Sequence, residues 1–267
     1  MAWIQTGSTI CFKPYSLDEA LAGLAAAGFE NVEIGAVKDF LEHLDPDDLG
    51  PATIASTRSL LEVHGLRVVS MSGHAPLHLE LGHDRLRRVL HAGAELGILV
   101  LNTFTGDAET EDERAAFFEN VREIADEAKE LGIALCIETD SNLMPTAEVG
   151  LRILDEIGRP DVGINYDPGN VVYYAGVSPE DDIKHALGLL GHVHLKDKRG
   201  GKDVFDFPPL GEGELDVESL LRDLSGSGFA GPVSLEIEYD GNWPDWETCA
   251  ADVKRAKDYW DEVAARI

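Results

Sequence analysis

One unit recurs along the chain and leaves few folds open to it: an amphipathic stretch, a glycine, then a short run of apolar and β-branched residues. It can be read in "AAGFENVEIG", "VHGLRVVSMSG", "ELGILVLNTF", "ELGIALCIETD", "EIGRPDVGINYD", "LGLLGHVHLKD" and "GSGFAGPVSLEIEYD". A glycine just past a helix takes the left-handed conformation that ends it, so each unit reads as helix, cap, strand. Helix starts agree with this. Ser16 with Glu19 forms a capping-box pattern, and Ser178 before Pro179 fits an N-cap followed by a first-turn proline.

With "WIQTGST" at the front, the units supply eight strands. Eight strands alternating with helices in about 250 residues predict one closed α/β barrel, a (β/α)8 TIM barrel over residues 1–267, in preference to an open doubly wound sheet. No GxGxxG or P-loop follows an early strand, which removes the usual signature of a nucleotide-binding sheet.

In such a barrel one face of each strand packs on the outer helices, the other points inward, and sites form at the strands' C-terminal ends. Parity then sorts the last four strands. Ile133, Leu135 and Ile137 take the helix side and leave Glu138 inward; Val162, Ile164 and Tyr166 leave Asn165 and Asp167. Val193 and Leu195 leave His192, His194 and Lys196, and Val233, Leu235 and Ile237 leave Ser234, Glu236 and Glu238. Carboxylates buried together raise one another's pKa unless a cation neutralises them. Glu138, Asp167, His194 and Glu236 offer three oxygens and one nitrogen, a set suited to one divalent ion such as Mn, Mg, Co or Zn.

At these residues the chain resembles the sugar phosphate isomerase/epimerase group of the xylose isomerase-like TIM barrels. The resemblance covers nearly the whole chain and is strongest at "IALCIETD", "GINYDPGN", "GHVHLKD", "PPLGEGELD" and "GPVSLEIE". It implies that Glu138, Asp167, His194 and Glu236 hold the ion and that Glu138 and Glu236 also move protons, as catalytic base and acid. The substrate would be a keto sugar, a sugar phosphate or a related hydroxy-ketone, reacting through an enediolate. It makes His194 the ligand of the HxH pair and His192 a deeper neighbour. Substrate contacts are expected from His74, His192, Lys196, Asn170, Glu238 and Arg199, with Glu33 equally placed and Asn102 and Thr103 as lining. For Lys196 the alternative is an ion pair with Asp197 or Glu238. Trp3, Phe12, Trp243 and Trp246 are candidates for an apolar wall. The loop from Lys198 to Glu214, which carries Arg199 and Lys202, is placed to act as a lid.

The same superfamily holds inosose-type dehydratases, which lose a β-hydroxyl, and AP endonuclease-like nucleases with three zinc ions. Asn170 stands where that nuclease branch has a histidine ligand, and no D/E-x-H motif follows the seventh strand. A non-catalytic sugar-binding barrel is the remaining alternative, and it leaves the acidic mouth unexplained.

Charge narrows the partners further. Fifty acidic against 22 basic residues give a net charge of -28, spread along the chain. This weighs against a nucleic-acid partner, since duplex affinity comes from neutralising phosphates. It also points to a halophilic setting, where salt screens self-repulsion to a Debye length of about 3 Å at 1 M. No apolar run is long enough for a membrane span and no signal-peptide pattern opens the chain, so a cytoplasmic enzyme is expected. Cys11, Cys136 and Cys249 lack metal or disulfide spacing. A homodimer or homotetramer is the expected assembly.

Overall fold

The computed structural model describes residues 2–267. Eight parallel strands close into a barrel in chain order: β1 (Ile4–Ser8), β2 (Asn31–Gly35), β3 (Arg67–Ser72), β4 (Val100–Thr103), β5 (Ala134–Glu138), β6 (Val162–Tyr166), β7 (Leu190–Leu195) and β8 (Pro232–Leu235). Closure is made by β1 pairing with β8, Gln5 opposite Val233 and Gly7 opposite Leu235. Outside the strands lie α1 (Leu17–Ala27), α2 (Pro51–His64), α3 (Glu80–Leu96), α4 (Glu111–Leu131), α5 (Ala147–Ile157), α6 (Pro168–Ala175), α7 (Pro179–Ala186), α8 (Val217–Ser227) and α9 (Trp246–Ala264). The expected (β/α)8 barrel is therefore the fold, with every strand of the repeated unit present.

Local chemistry sets the helix ends. The Ser16 hydroxyl accepts from Glu19 N while the Glu19 side chain reaches back to Ser16 N, and Ser178 caps α7 with Pro179 in its first turn. The glycine expected after each helix appears in left-handed conformation ahead of five of the strands in a row, from Gly28 (φ 99) before β2 to Gly158 (φ 66) before β6. The unit leading into β7 departs from this. There α7 runs out through Leu187 in right-handed helical conformation, and Leu189 N bonds back to Ala186 O, so a tight turn replaces the glycine cap.

The strand faces sort by parity. Leu135 and Ile137, Ile164 and Tyr166, Val193 and Leu195, and Val233, Leu235 and Ile237 are all buried in one apolar cluster that also takes Val121 and Ile124 of α4 and Leu220, Leu221 and Leu224 of α8. Inside the barrel the filling is polar where many barrels carry Val, Ile and Leu. Glu33, Ser70, Asn165, His192 and Ser234 are wholly buried there. Such a layer costs several kcal/mol per unpaired group unless its hydrogen bonds close. They do: Ser70 and Ser234 donate to Glu33 Oε2 at 3.0 and 2.7 Å, and His192 Nδ1 lies 2.9 Å from Asn165 Oδ1. Among the described residues no helix is long and apolar enough to cross a membrane.

Candidate active site

The polar layer lies beneath a cavity of about 420 Å³ at the strands' C-terminal ends, touching its lining residues Glu138 and His194. Glu138 is the last residue of β5, and Asp167 directly follows β6 and caps α6 by accepting from Asn170 N at 2.9 Å. His194 is the penultimate residue of β7. Glu236 lies just past β8, its amide still bonded to Leu195 O at 3.1 Å. The ladder therefore brings the four side chains to the same end of the barrel.

Glu138 is tightly held. Its Oε2 accepts from Asn165 Nδ2 at 2.8 Å and faces His74 Nε2 at 2.9 Å, while Oε1 accepts from Asn170 Nδ2 at 3.2 Å. Burial alone would raise its pKa, but His194 and His74 outweigh burial and hold it well below the usual carboxylate range. Burial pushes Asp167 up to about 7, with Lys196 pulling down and Glu138 and Glu236 pushing up. Glu236 is also raised, first by burial, against the pull of His194 and Lys196. His194 itself is raised well above its ordinary value: burial lowers it, but Glu138, Glu236 and Glu33 together prevail. This ring of carboxylates favours positive charge at its centre.

The ligand atoms of Glu138, Asp167 and His194 lie within 4.8 Å of one another. Glu236 lies outside that group but next to it, its Oε1 3.4 Å from His194 Nε2 and its Oε2 3.0 Å from Lys196 Nζ. Two further observations fit this set to a divalent ion. Asp167 Oδ2 is buried and has no hydrogen-bond partner among the described residues; the Lys196 ammonium pairs with it as an ion at 2.9 Å. His194 Nε2 stands 2.9 Å from Glu33 Oε1, and Nδ1 faces Glu138 Oε1 at 3.1 Å. With its proton on Nε2 and donated to Glu33, the ring turns an unprotonated Nδ1 to the Glu138 side, 3.1 Å from Asn165 Nδ2, the usual tautomer for a metal-ligating histidine.

Of the residues expected to contact substrate, His74, Lys196, Asn170 and Glu238 border the cavity; His192 and Arg199 do not. His192 is wholly buried in the polar layer, against Ser70 and Ser234 and 2.9 Å from Glu33 Oε2. Arg199 lies within its own loop, donating to Glu212 O and facing Asp206 and Glu212. Glu33 likewise lies in that layer. Asn102 and Thr103 are buried away from the cavity, and neither amide atom of Asn102 has a partner among the described residues.

Lys196 is 1% exposed and sits among three carboxylates, 2.9 Å from Asp167, 3.0 Å from Glu236 and 2.5 Å from Glu238. Asp197, the other expected partner, points away and organises the following loop. Its carboxylate accepts from Lys198 N, Gly211 N, Gly213 N and Leu215 N at 2.8 to 3.3 Å.

The apolar wall comes from residues other than those expected. Phe12 and Trp246 pack on each other with ring centres 6.2 Å apart, and Trp3 and Trp243 also lie off the cavity. Phe104, Tyr173, Tyr174, Phe205 and Phe207 line it instead. Phe205 and Phe207 belong to the loop expected to act as a lid, and Phe207 pairs with Glu238 in a short antiparallel bridge. Sequence reading did not single them out, and the alternation in "VFDF" is the one signal that could have. Asp140, also in the cavity, is raised by burial and by Glu138; it stands two residues past Glu138 and keeps that residue's parity.

The chain is similar to known proteins along most of its length. The chain is 28% identical over 242 residues to an L-ribulose 3-epimerase of Methylomonas sp. (strain DH-1), covering 82% of this chain and 77% of that protein. It is 27% identical over 256 residues to the L-ribulose-5-phosphate 3-epimerase UlaE of Salmonella heidelberg (strain SL476), covering 90% and 86%. Its backbone superposes on a xylose isomerase-like TIM barrel protein from Mycobacterium smegmatis, solved in complex with magnesium, with a TM-score of 0.76 at 19% identity, covering 98% and 97%. The profile of one family matches residues 21–262, and on that match the chain belongs to the xylose isomerase-like TIM barrels.

Proposed function

We propose that the protein is a divalent-metal-dependent epimerase of a keto sugar, exchanging the proton on the carbon next to the carbonyl. One observation carries this reading: Glu138 and Glu236 both line the cavity and stand on opposite sides of the His194 ring, 3.1 Å from Nδ1 and 3.4 Å from Nε2, so the mouth presents two separate carboxylates. A base on one side of a carbon and an acid on the other is the arrangement that inverts a centre. The names of the two ribulose epimerases it resembles support the same chemistry.

Glu138, Asp167, His194 and Glu236 would hold the ion. When bound, it would polarise the carbonyl and stabilise the enediolate left by proton loss. The chain's own part is to place the substrate and move the proton. One glutamate takes the proton and the other returns it from the opposite face. His74, Asn165 and Asn170 fix the rotamer of Glu138, while the Lys196 ammonium fixes Glu236. Phe205 and Phe207 keep water off the reacting carbon. Solvent-deuterium incorporation into a ketose tests the proposal, and loss of water in the same assay would identify a dehydratase instead. We also propose that the charge of -28 adapts the protein to concentrated salt.

A further inference from the structure

The cavity carries its own answer to whether the substrate bears a phosphate. We propose that this site takes an uncharged keto sugar and excludes the phosphate ester, because the loop amides and cavity lysines that would hold a phosphate are already taken by the chain's own carboxylates. The inference rests on the epimerase reading and narrows its substrate class.

A phosphate needs cations or backbone N–H groups that are not already held, and the cations lining this cavity, Lys38, His74, His194 and Lys196, are each paired with the chain's own carboxylates. The lysines that border the cavity are Lys196 and Lys38, and no arginine does. Lys196 is enclosed by Asp167, Glu236 and Glu238. Lys38 Nζ lies 2.9 Å from Glu42 and 3.0 Å from Asp45. Against these, the lining holds Glu138, Asp140, Glu236 and Glu238.

Barrels of this class seat phosphate in the loops after strands seven and eight and on a nearby helix N-terminus. Here those positions hold the chain's own anions. The amides of Lys198, Gly211, Gly213 and Leu215 converge on one carboxylate, that of Asp197. The cradle is shaped to it: a Cβ at Gly213 would collide with the Asp197 carboxylate, and Gly211 has φ +83. The next helix starts are closed in the same way, Asp216 accepting from Ser219 N at 2.9 Å and Asp245 from Thr248 N at 2.9 Å. The cations flanking the mouth without a carboxylate are engaged elsewhere. Lys13 Nζ stands 3.4 Å from the centre of the Phe40 ring, and Lys198 donates to the carbonyls of Arg199 and Gly200 beneath Phe207. What remains for a ligand is hydroxyl-binding carboxylates against a wall of Phe104, Phe205 and Phe207, which suits the polar edge and C–H face of a free sugar.

The test compares L-ribulose with L-ribulose 5-phosphate on the metal-loaded protein by deuterium exchange. Alongside it, calorimetry compares ribitol with ribitol 5-phosphate. The free ketose is expected to exchange with kcat/KM ~100-fold or more above the ester, because like charges brought together cost several kcal/mol. Ribitol is expected to bind, its phosphate to bind at least as much more weakly, and millimolar inorganic phosphate to leave ribitol binding unchanged. An ester processed or bound as well as the free compound overturns the proposal, and an ester KM that rises in Lys13→Ala would locate the phosphate at that lysine. Should neither ketose exchange, the epimerase reading fails while the polyol pair still decides: ribitol binding with its phosphate excluded sustains the inference, and phosphate preference or no binding of either overturns it.

Discussion

His194 Nε2 and Glu33 Oε1 stand 2.9 Å apart inside the barrel, joining the polar layer to the reacting mouth. Glu33 is wholly buried and also accepts from Ser70 and Ser234. Burial would raise its pKa, yet His194 and His192 hold it well below the usual carboxylate range. It thereby fixes which nitrogen of His194 carries a proton and where the other points. Glu33→Gln keeps the shape and removes the charge. Manganese affinity measured by titration calorimetry should fall about 10–100-fold, the usual effect of losing a carboxylate behind a ligating histidine. Unchanged affinity would show that Glu33 only fills space.

Lys196 balances three carboxylates at once. In Lys196→Met the stem volume stays and the charge goes, leaving Asp167, Glu236 and Glu238 facing one another. Unfolding in denaturant with a chelator present should show a loss of about 3–5 kcal/mol. The same variant should gain more from added divalent ion than the wild type does, since the ion then supplies the missing charge. An equal gain in both proteins would contradict the shared-charge picture.

His43 offers a pH test away from the site. Its Nε2 faces Tyr15 O at 3.1 Å, and burial lowers its pKa from the ordinary 6.5, only partly offset by backbone contacts. The folded state therefore holds the ring neutral, and the unfolded chain binds the proton more readily. The stability tied to this residue is present above the unfolded pKa and is lost as pH falls through and below it. The difference in unfolding free energy between wild type and His43→Gln should shrink from pH 7.5 to pH 5. A pH-independent difference would contradict it.

The surface charge predicts a response to salt. Self-repulsion at -28 is screened as ionic strength rises, so Tm should climb from dilute buffer to molar KCl. Surface pairs such as Arg85 with Asp47 will weaken over the same range, but exposed pairs of this kind contribute about 0–1 kcal/mol each. A flat or falling Tm would remove the case for salt adaptation.

Period explains what was readable from residues alone. Two-residue alternation placed Glu138, Asp167, His194, Lys196 and Glu236 at the inner mouth because strands obey it strictly. The same parity puts Asp197 on the outer side, so it cannot pair with Lys196 and is free to gather the loop amides. Past the strand the alternation lapses, which is why Arg199 turns to Glu212 and Asp206 and not to the cavity. The link from Glu33 to His194 spans 161 residues and exists only once the barrel closes. Phe205 and Phe207 reach the cavity through a loop path that no period encodes, though their spacing carried a faint trace of it.

The two-carboxylate epimerase is tested most directly by following deuterium from D2O into the carbon beside the carbonyl of L-ribulose, using metal-loaded wild type and Glu236→Gln side by side. The account predicts incorporation by the wild type and a loss of about 100-fold or more in the variant, the scale of a general acid–base contribution. Full exchange retained by Glu236→Gln would contradict it.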